Sequence, residues 1–202
     1  MNDMWLVDFE KMPMSIDEKM CRSIEKSDEN SVRELLDGKA NINEATSDIY
    51  GNSVAHIAAQ HSTPALIDMI LEKRPDMAAL KNKFSQSPLH KAVEFARHFD
   101  FDKEEQISRG VVQPFLEARA DVCAVDDHLQ TPLHMAVISD DIETVLLLIK
   151  FQAPVDVKDM YKLTPTDYCH DKNPAIRRAL EDRRQYKDGA DRCIDYQVEN
   201  AD

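Results

Sequence analysis

Glycine is scarce in this sequence: Gly38, Gly51, Gly110 and Gly189 are the four in 202 residues. Nucleotide-binding loops cluster glycines so that backbone can close on phosphate. No two of these glycines lie at such a spacing, which excludes the common dinucleotide and P-loop enzymes. Basic charge is also short. Lys and Arg number 25 against 38 Asp and Glu, a formal net charge of −13. That is the wrong sign for gripping nucleic acid or an anionic membrane, so neither is expected as a partner. The longest purely apolar run is Val145-Leu-Leu-Leu-Ile149, far below the roughly 20 residues that cross a bilayer as a helix. The four cysteines (Cys21, Cys123, Cys169, Cys193) form no C-x-x-C pair. The N-terminus lacks the basic flank and unbroken apolar stretch of a secretory signal. Reduced thiols in an intracellular protein are expected, in the cytoplasm and with the nucleus also open. Hydrolase, zincin, kinase and EF-hand motifs are missing too, so no catalytic residue, metal site or cofactor is assigned.

What is present is internal repetition. Ser53-Val-Ala-His-Ile-Ala58, Ser87-Pro-Leu-His-Lys-Ala92, Thr131-Pro-Leu-His-Met-Ala136 and Thr164-Pro-Thr-Asp-Tyr-Cys169 align, with starts 34, 44 and 33 residues apart. Downstream of the first three lie apolar helical stretches: Leu66-Ile-Asp-Met-Ile-Leu71, Val111-Val-Gln-Pro-Phe-Leu116 and Val145 to Ile149. An upstream half-match, Ser31-Val-Arg-Glu-Leu-Leu36 then Lys39-Ala-Asn-Ile-Asn43, adds a fifth unit whose first helix spans about Ile16 to Lys26. The period and the T-P-L-H-x-A motif resemble the ankyrin repeat. The resemblance covers about residues 16 to 188. It implies an all-α solenoid of stacked helix-turn-helix units with β-turn fingers, about five units in all. The expected division is an N-terminal extension (1–15), a repeat domain (16–188; units of about 16–47, 48–81, 82–125, 126–158 and 159–188) and an acidic tail (189–202). The long third unit carries an insertion at about Arg97 to Ser108, expected as an acidic loop on one face of the array.

Each Ser/Thr-Pro is a helix start: the hydroxyl serves an orphan N–H, and proline has no donor to waste. Leu89 and Leu133 then point inward, and Ala58, Ala92 and Ala136 let helices approach closely. His56, His90 and His134 recur at one repeat position. Repeat spacing puts each in its own layer rather than in one tetrahedral metal shell, and the resemblance implies that each hydrogen-bonds turn backbone. The resemblance also implies a left-handed residue, normally glycine, in the turn leaving each unit. Here Lys39 (beside Gly38), Arg74, Arg119 and Gln152 occupy it.

The resemblance implies a non-catalytic adaptor or inhibitor that grips a protein through its fingertips and concave groove, acts as a monomer, and meets a partner with a basic surface. Candidate contact residues are Tyr50 and Asn52; Lys83, Phe84 and Gln86; Asp127, His128 and Gln130; and Met160 and Tyr161, with Ile49 and Leu163 beside them. Tyr50, Phe84, His128 and Tyr161 form one column of rings, a residue type favoured at interfaces. Inner-helix positions Gln60, His61, Glu94, Phe95, Ile138 and Ser139 carry less weight. Accessory candidates are Trp5 and Phe9, which a helix places on one face, and Phe99 and Phe101 in the insertion. The Gln130 to Ile138 stretch, the acidic balance and the insertion are also similar to the IκB-like inhibitors of Rel-type transcription factors. An enzyme using Cys169 and His170 is the alternative of another class. Asn43 stands where similar repeats carry a hydroxylated asparagine.

Overall fold

The computed structural model describes residues 16–38, 49–96, 106–169 and 173–185. Helices come in pairs. The first of each pair are α1 (Ile16–Glu25), α3 (Val54–His61), α5 (Pro88–Ala96) and α7 (Pro132–Ile138). The second are α2 (Glu29–Asp37), α4 (Pro64–Lys73), α6 (Gln106–Glu117), α8 (Ile142–Lys150) and α9 (Pro174–Gln185). In the last unit a 3₁₀ turn, Pro165–Tyr168, stands where the earlier units have an inner helix. The inner elements pack in sequence, α1 on α3, α3 on α5, α5 on α7 and α7 on the 3₁₀ turn. The outer row does the same from α2 through α4, α6 and α8 to α9. This is the ankyrin-repeat solenoid, and every described regular element is helical.

The core follows from that stacking. Leu66, Ile67, Ile70, Leu89, Val112, Phe115, Leu133, Leu148, Ile176 and Leu180 are almost wholly buried between layers. Ala58, Ala92 and Ala136 are buried at the inner-helix contacts, as their small size required. A single pair exposes too much apolar surface to stand alone, so stability accrues by layer. Met20, Ile24 and Val32 close the N-terminal end, which places the upstream half-match in the same stack.

Helix starts are capped, by more than one device. Asp141 Oδ1 accepts the Thr144 N–H at 3.0 Å and its Oδ2 accepts the Thr144 hydroxyl at 2.6 Å. Asp28 serves Ser31 in the same way. Thr131 accepts a longer bond, 3.4 Å, from the His134 N–H. Gly110 lies inside α6, and a Cβ there would sit 2.7 Å from Cγ of Pro64, the first residue of α4. The two outer helices touch at this missing side chain.

Several expectations change. Arg119 (φ 61°) and Gln152 (φ 65°) are left-handed, as expected of the exit turns. Arg74 is not: its φ is −137°, because Pro75 follows and starts a 3₁₀ turn, and the residue before proline is steered to extended backbone. Gly38 is extended at φ −63°, and Lys39 lies outside the described residues. The insertion shortens at its C-terminal end, since 106–108 already belong to α6. Cys123 is disulfide-bonded, against the expectation of reduced thiols throughout, while Cys21 and Cys169 form no disulfide. Bridging depends on distance in space and not on C-x-x-C spacing.

Candidate functional site

The fingers are built outward from one polar side chain each. In the second finger (82–86), Asn82 Oδ1 accepts the backbone N–H groups of Phe84 and Gln86 at 2.9 and 3.1 Å. Asp126 does the same for His128 and Gln130 at 2.9 Å each. Asp159 does it for Tyr161 and Leu163 at 2.9 and 3.0 Å. The anchor's own N–H closes each loop onto the carbonyl of Gln86, Gln130 or Leu163. Burial pushes the Asp159 carboxyl up. Hydrogen bonds from the Tyr168 hydroxyl, the Leu163 N–H, Gln130 and the Tyr161 N–H outweigh it and hold the group below the usual carboxylate value. Each finger then bonds to the one before it. Lys83 N–H donates to Tyr50 C=O at 3.0 Å, Asp127 to Phe84 at 3.1 Å, and Met160 to His128 at 2.9 Å.

The histidines tie this ladder to the helices. The backbone N–H groups of Ser53, Ser87 and Thr131 donate to Nδ1 of His56, His90 and His134, each at 3.1 Å. That makes Nδ1 an acceptor and leaves the proton on Nε2. Nε2 donates to the next finger's carbonyl: His56 to Gln86 at 2.8 Å, His90 to Gln130 at 3.1 Å, His134 to Leu163 at 3.3 Å. All three rings are completely buried. Burial lowers His90 to about 4, with the bond to Gln130 opposing it, and lowers His134 for the same reason. These histidines are structural, each in its own layer. In the last unit Asp167 takes the position and accepts the Thr164 N–H at 2.7 Å.

What the rigid ladder presents to solvent is apolar. Tyr50 is 49% exposed, Phe84 47%, Met160 51% and Tyr161 64%. The Tyr50 and Phe84 rings lie 6.0 Å apart between centroids, tilted by 39°. His128 joins the column with its side chain 64% exposed and 3.8 Å from Asp126. Lys83 reaches back to the Ile49 carbonyl at 2.9 Å, and Asp127 takes the Ser85 hydroxyl at 2.5 Å.

The residues just before each Ser/Thr behave differently. Asn52 is buried and accepts from Asn82 at 2.9 Å. Gln86 accepts from the same Asn82 amide at 3.3 Å, and Gln130 donates across to Asp159 at 3.4 Å. The Asn52 and Gln130 side chains knit neighbouring fingers together, and Gln86 braces its own. Trp5, Phe9, Phe99, Phe101, Asn43 and His170 lie outside the described residues.

Behind the first two fingers the groove deepens into a cleft of about 420 Å³. Tyr50 and Phe84 wall it on the finger side, and Ile57, Gln60 and His61 of α3 form its back. Asn52, Lys91 of α5 and Glu25, the last residue of α1, complete it. Gln60 and His61 were among the weaker inner-helix candidates. Glu25 and Lys91 were not candidates. Lys91 and Ile57 occupy the variable position between the repeat histidine and alanine, a signal that alignment of the repeats contains. Glu25 belongs to the unit without the motif and leaves no such trace.

The Cys169 thiol is half-buried, and burial pushes its pKa up. An activated nucleophile needs the opposite shift. Among the described residues no group of His, Cys, Asp and Glu could hold a metal ion, and no helix is long and apolar enough to cross a membrane.

Comparison with known proteins adds the following. The ankyrin repeat family model matches residues 128–160. The chain is 31% identical over 121 residues to the nuclear factor NF-kappa-B p105 subunit of Gallus gallus, covering 57% of this chain and 11% of that protein. It is 29% identical over 158 residues to neurogenic locus notch homolog protein 2 of Homo sapiens, covering 67% of this chain and 6% of that protein. The Mus musculus form matches to the same extent. The chain thus spans about a tenth or less of the length of these relatives.

Proposed function

We propose that this chain, an ankyrin-repeat protein, is a non-catalytic module that binds a protein partner through its fingertips and the groove behind them. One observation carries the reading. Tyr50, Phe84, Met160 and Tyr161 remain about half exposed or more on fingers whose backbones are locked to each other. Preorganised aromatic side chains bind without the entropic cost of ordering a loop. The partner-facing set is Tyr50, Lys83, Phe84, Asp127, His128, Met160 and Tyr161, with Asn52, Gln86 and Gln130 holding those positions in place. Trp5, Phe9, Phe99 and Phe101 are accessory contacts in this reading.

The units run about 16–47, 48–81, 82–125, 126–158 and 159–188, and the chain acts as a monomer in the cytoplasm, with the nucleus as a second compartment. The acidic balance suits a partner with a basic surface and disfavours nucleic acid. A narrower version, inhibition of Rel-type transcription factors, draws support from the likeness to the NF-kappa-B p105 subunit.

Affinity capture tests the proposal. Wild type is compared with a Tyr50→Ala/Phe84→Ala/Tyr161→Ala variant, and circular dichroism confirms that the variant is folded. A partner bound by wild type and lost by the folded variant supports the finger surface. Equal capture of the same partner by both sinks it.

A further inference from the structure

The cleft behind the first two fingers has a chemistry of its own. Its volume of about 420 Å³ lies within the roughly 300–1,000 Å³ of ligand-binding clefts, with room for a long side chain and the backbone that carries it. Two half-exposed rings, Tyr50 and Phe84, flank it with centroids 6.0 Å apart. The face of an aromatic ring is electronegative and attracts a cation. The lysine in the wall is already engaged: Lys91 Nζ lies 2.8 Å from Glu94 Oε2. Glu25 is exposed at the end of α1 and makes no ion pair among the described residues. The cleft therefore offers two aromatic rings and a carboxylate with no ion-pair partner among the described residues.

We infer that this cleft takes an arginine side chain projecting from an extended segment of the protein partner. The guanidinium stacks against the Tyr50 and Phe84 rings and donates N–H groups to the Glu25 carboxylate. The inference rests on the finger reading above and names the residue type those fingers select. Arginine fits better than lysine because its flat, delocalised cation stacks on a ring while presenting parallel donors to a carboxylate. An apolar side chain fits worse, because it would desolvate Glu25 without supplying a donor. The net charge of −13 favours approach of a cationic segment.

The test is a nitrogen–proton NMR titration of the full chain with the peptide acetyl-Ala-Ala-Arg-Ala-Ala-amide. Its control carries citrulline, which has the same shape without the charge. The arginine peptide is expected to move the amides of Tyr50, Phe84, Gln60 and His61 and to bind about tenfold tighter than the control, roughly the worth of one charge-assisted contact. Glu25→Gln, at an exposed position, should remove that advantage and leave the spectrum of the free protein otherwise unchanged. Equal affinity for the two peptides, full affinity in Glu25→Gln, or no shift at about 10 mM peptide would each overturn the inference. Partner capture separates the two levels of the argument. Loss in both Glu25→Gln and the finger variant supports the arginine site. Loss in the finger variant alone rejects the arginine site and leaves the finger surface standing. Retention in both rejects the finger surface itself.

Discussion

Residues with side chains occupy left-handed backbone at three finger turns: Ser85 (φ 57°), Leu129 (φ 57°) and Lys162 (φ 63°), where the first finger has Gly51 (φ 68°). Arg119 and Gln152 do so at exit turns. The Cβ of each meets its own backbone there, at a cost of about 1 kcal/mol. Leu129→Gly, Arg119→Gly and Gln152→Gly are each expected to raise the melting temperature, by on the order of 1 kcal/mol of stability. Leu129→Gly also removes an exposed leucine. If thermal melts show no gain for any of the three, left-handed strain is not what these turns store. The exit turns were legible because the repeat pattern marks their place. The finger turns were not, since serine, leucine and lysine carry no sign of positive φ, and the pattern misled at Arg74 because the local constraint of Pro75 overrides it.

At the scale of elements, the inner helices were the most legible part of the sequence. Proline at the first helical position, a histidine two residues on and an alanine after that fix α5 and α7 almost to the residue. Their anchors, Asn82, Asp126 and Asp159, lie five residues before each Ser/Thr and could have been found by the same alignment. The outer helices were recognised by apolar content alone, so the contact between α4 and α6 was missed. It depends on Gly110, whose lack of a side chain admits Pro64. Helix propensity alone favours alanine over glycine by about 1 kcal/mol. The 2.7 Å approach predicts the reverse sign, since the proline ring is rigid and overpacking costs about 1–3 kcal/mol. Gly110→Ala should therefore lower the urea midpoint. A raised midpoint would show that the two helices slide apart freely.

Across the whole molecule, the buried histidines make stability depend on pH. His90 is lowered to about 4 in the folded chain against about 6.5 unfolded, so between these values only the unfolded chain takes up the proton. Stability is then complete above about pH 6.5 and falls as the pH drops toward 4. His90 alone accounts for about 3 kcal/mol of that loss. His134 adds to it in the same direction. The hydrogen-bonded Asp159 is held below its ordinary value and contributes only at still lower pH. Urea denaturation at pH 7.5, 6 and 4.5 should show the decline, and His90→Gln, though less stable throughout, should show a shallower one. Parallel curves for the two proteins would mean that other groups carry the acid sensitivity.

The histidine bonds all run one way along the chain: His56 gives its proton to Gln86, His90 to Gln130 and His134 to Leu163. For most of the stretch from residue 56 to residue 163, a polypeptide emerging from a ribosome therefore carries one such donor whose acceptor has not yet been made. His56 waits 30 residues for Gln86, and His90 waits 40 for Gln130. Each newly translated layer stays provisional until its successor arrives, so assembly trails synthesis by one repeat. Asp167 ends the delay, because a carboxylate caps its own helix start and has no proton left to pass on.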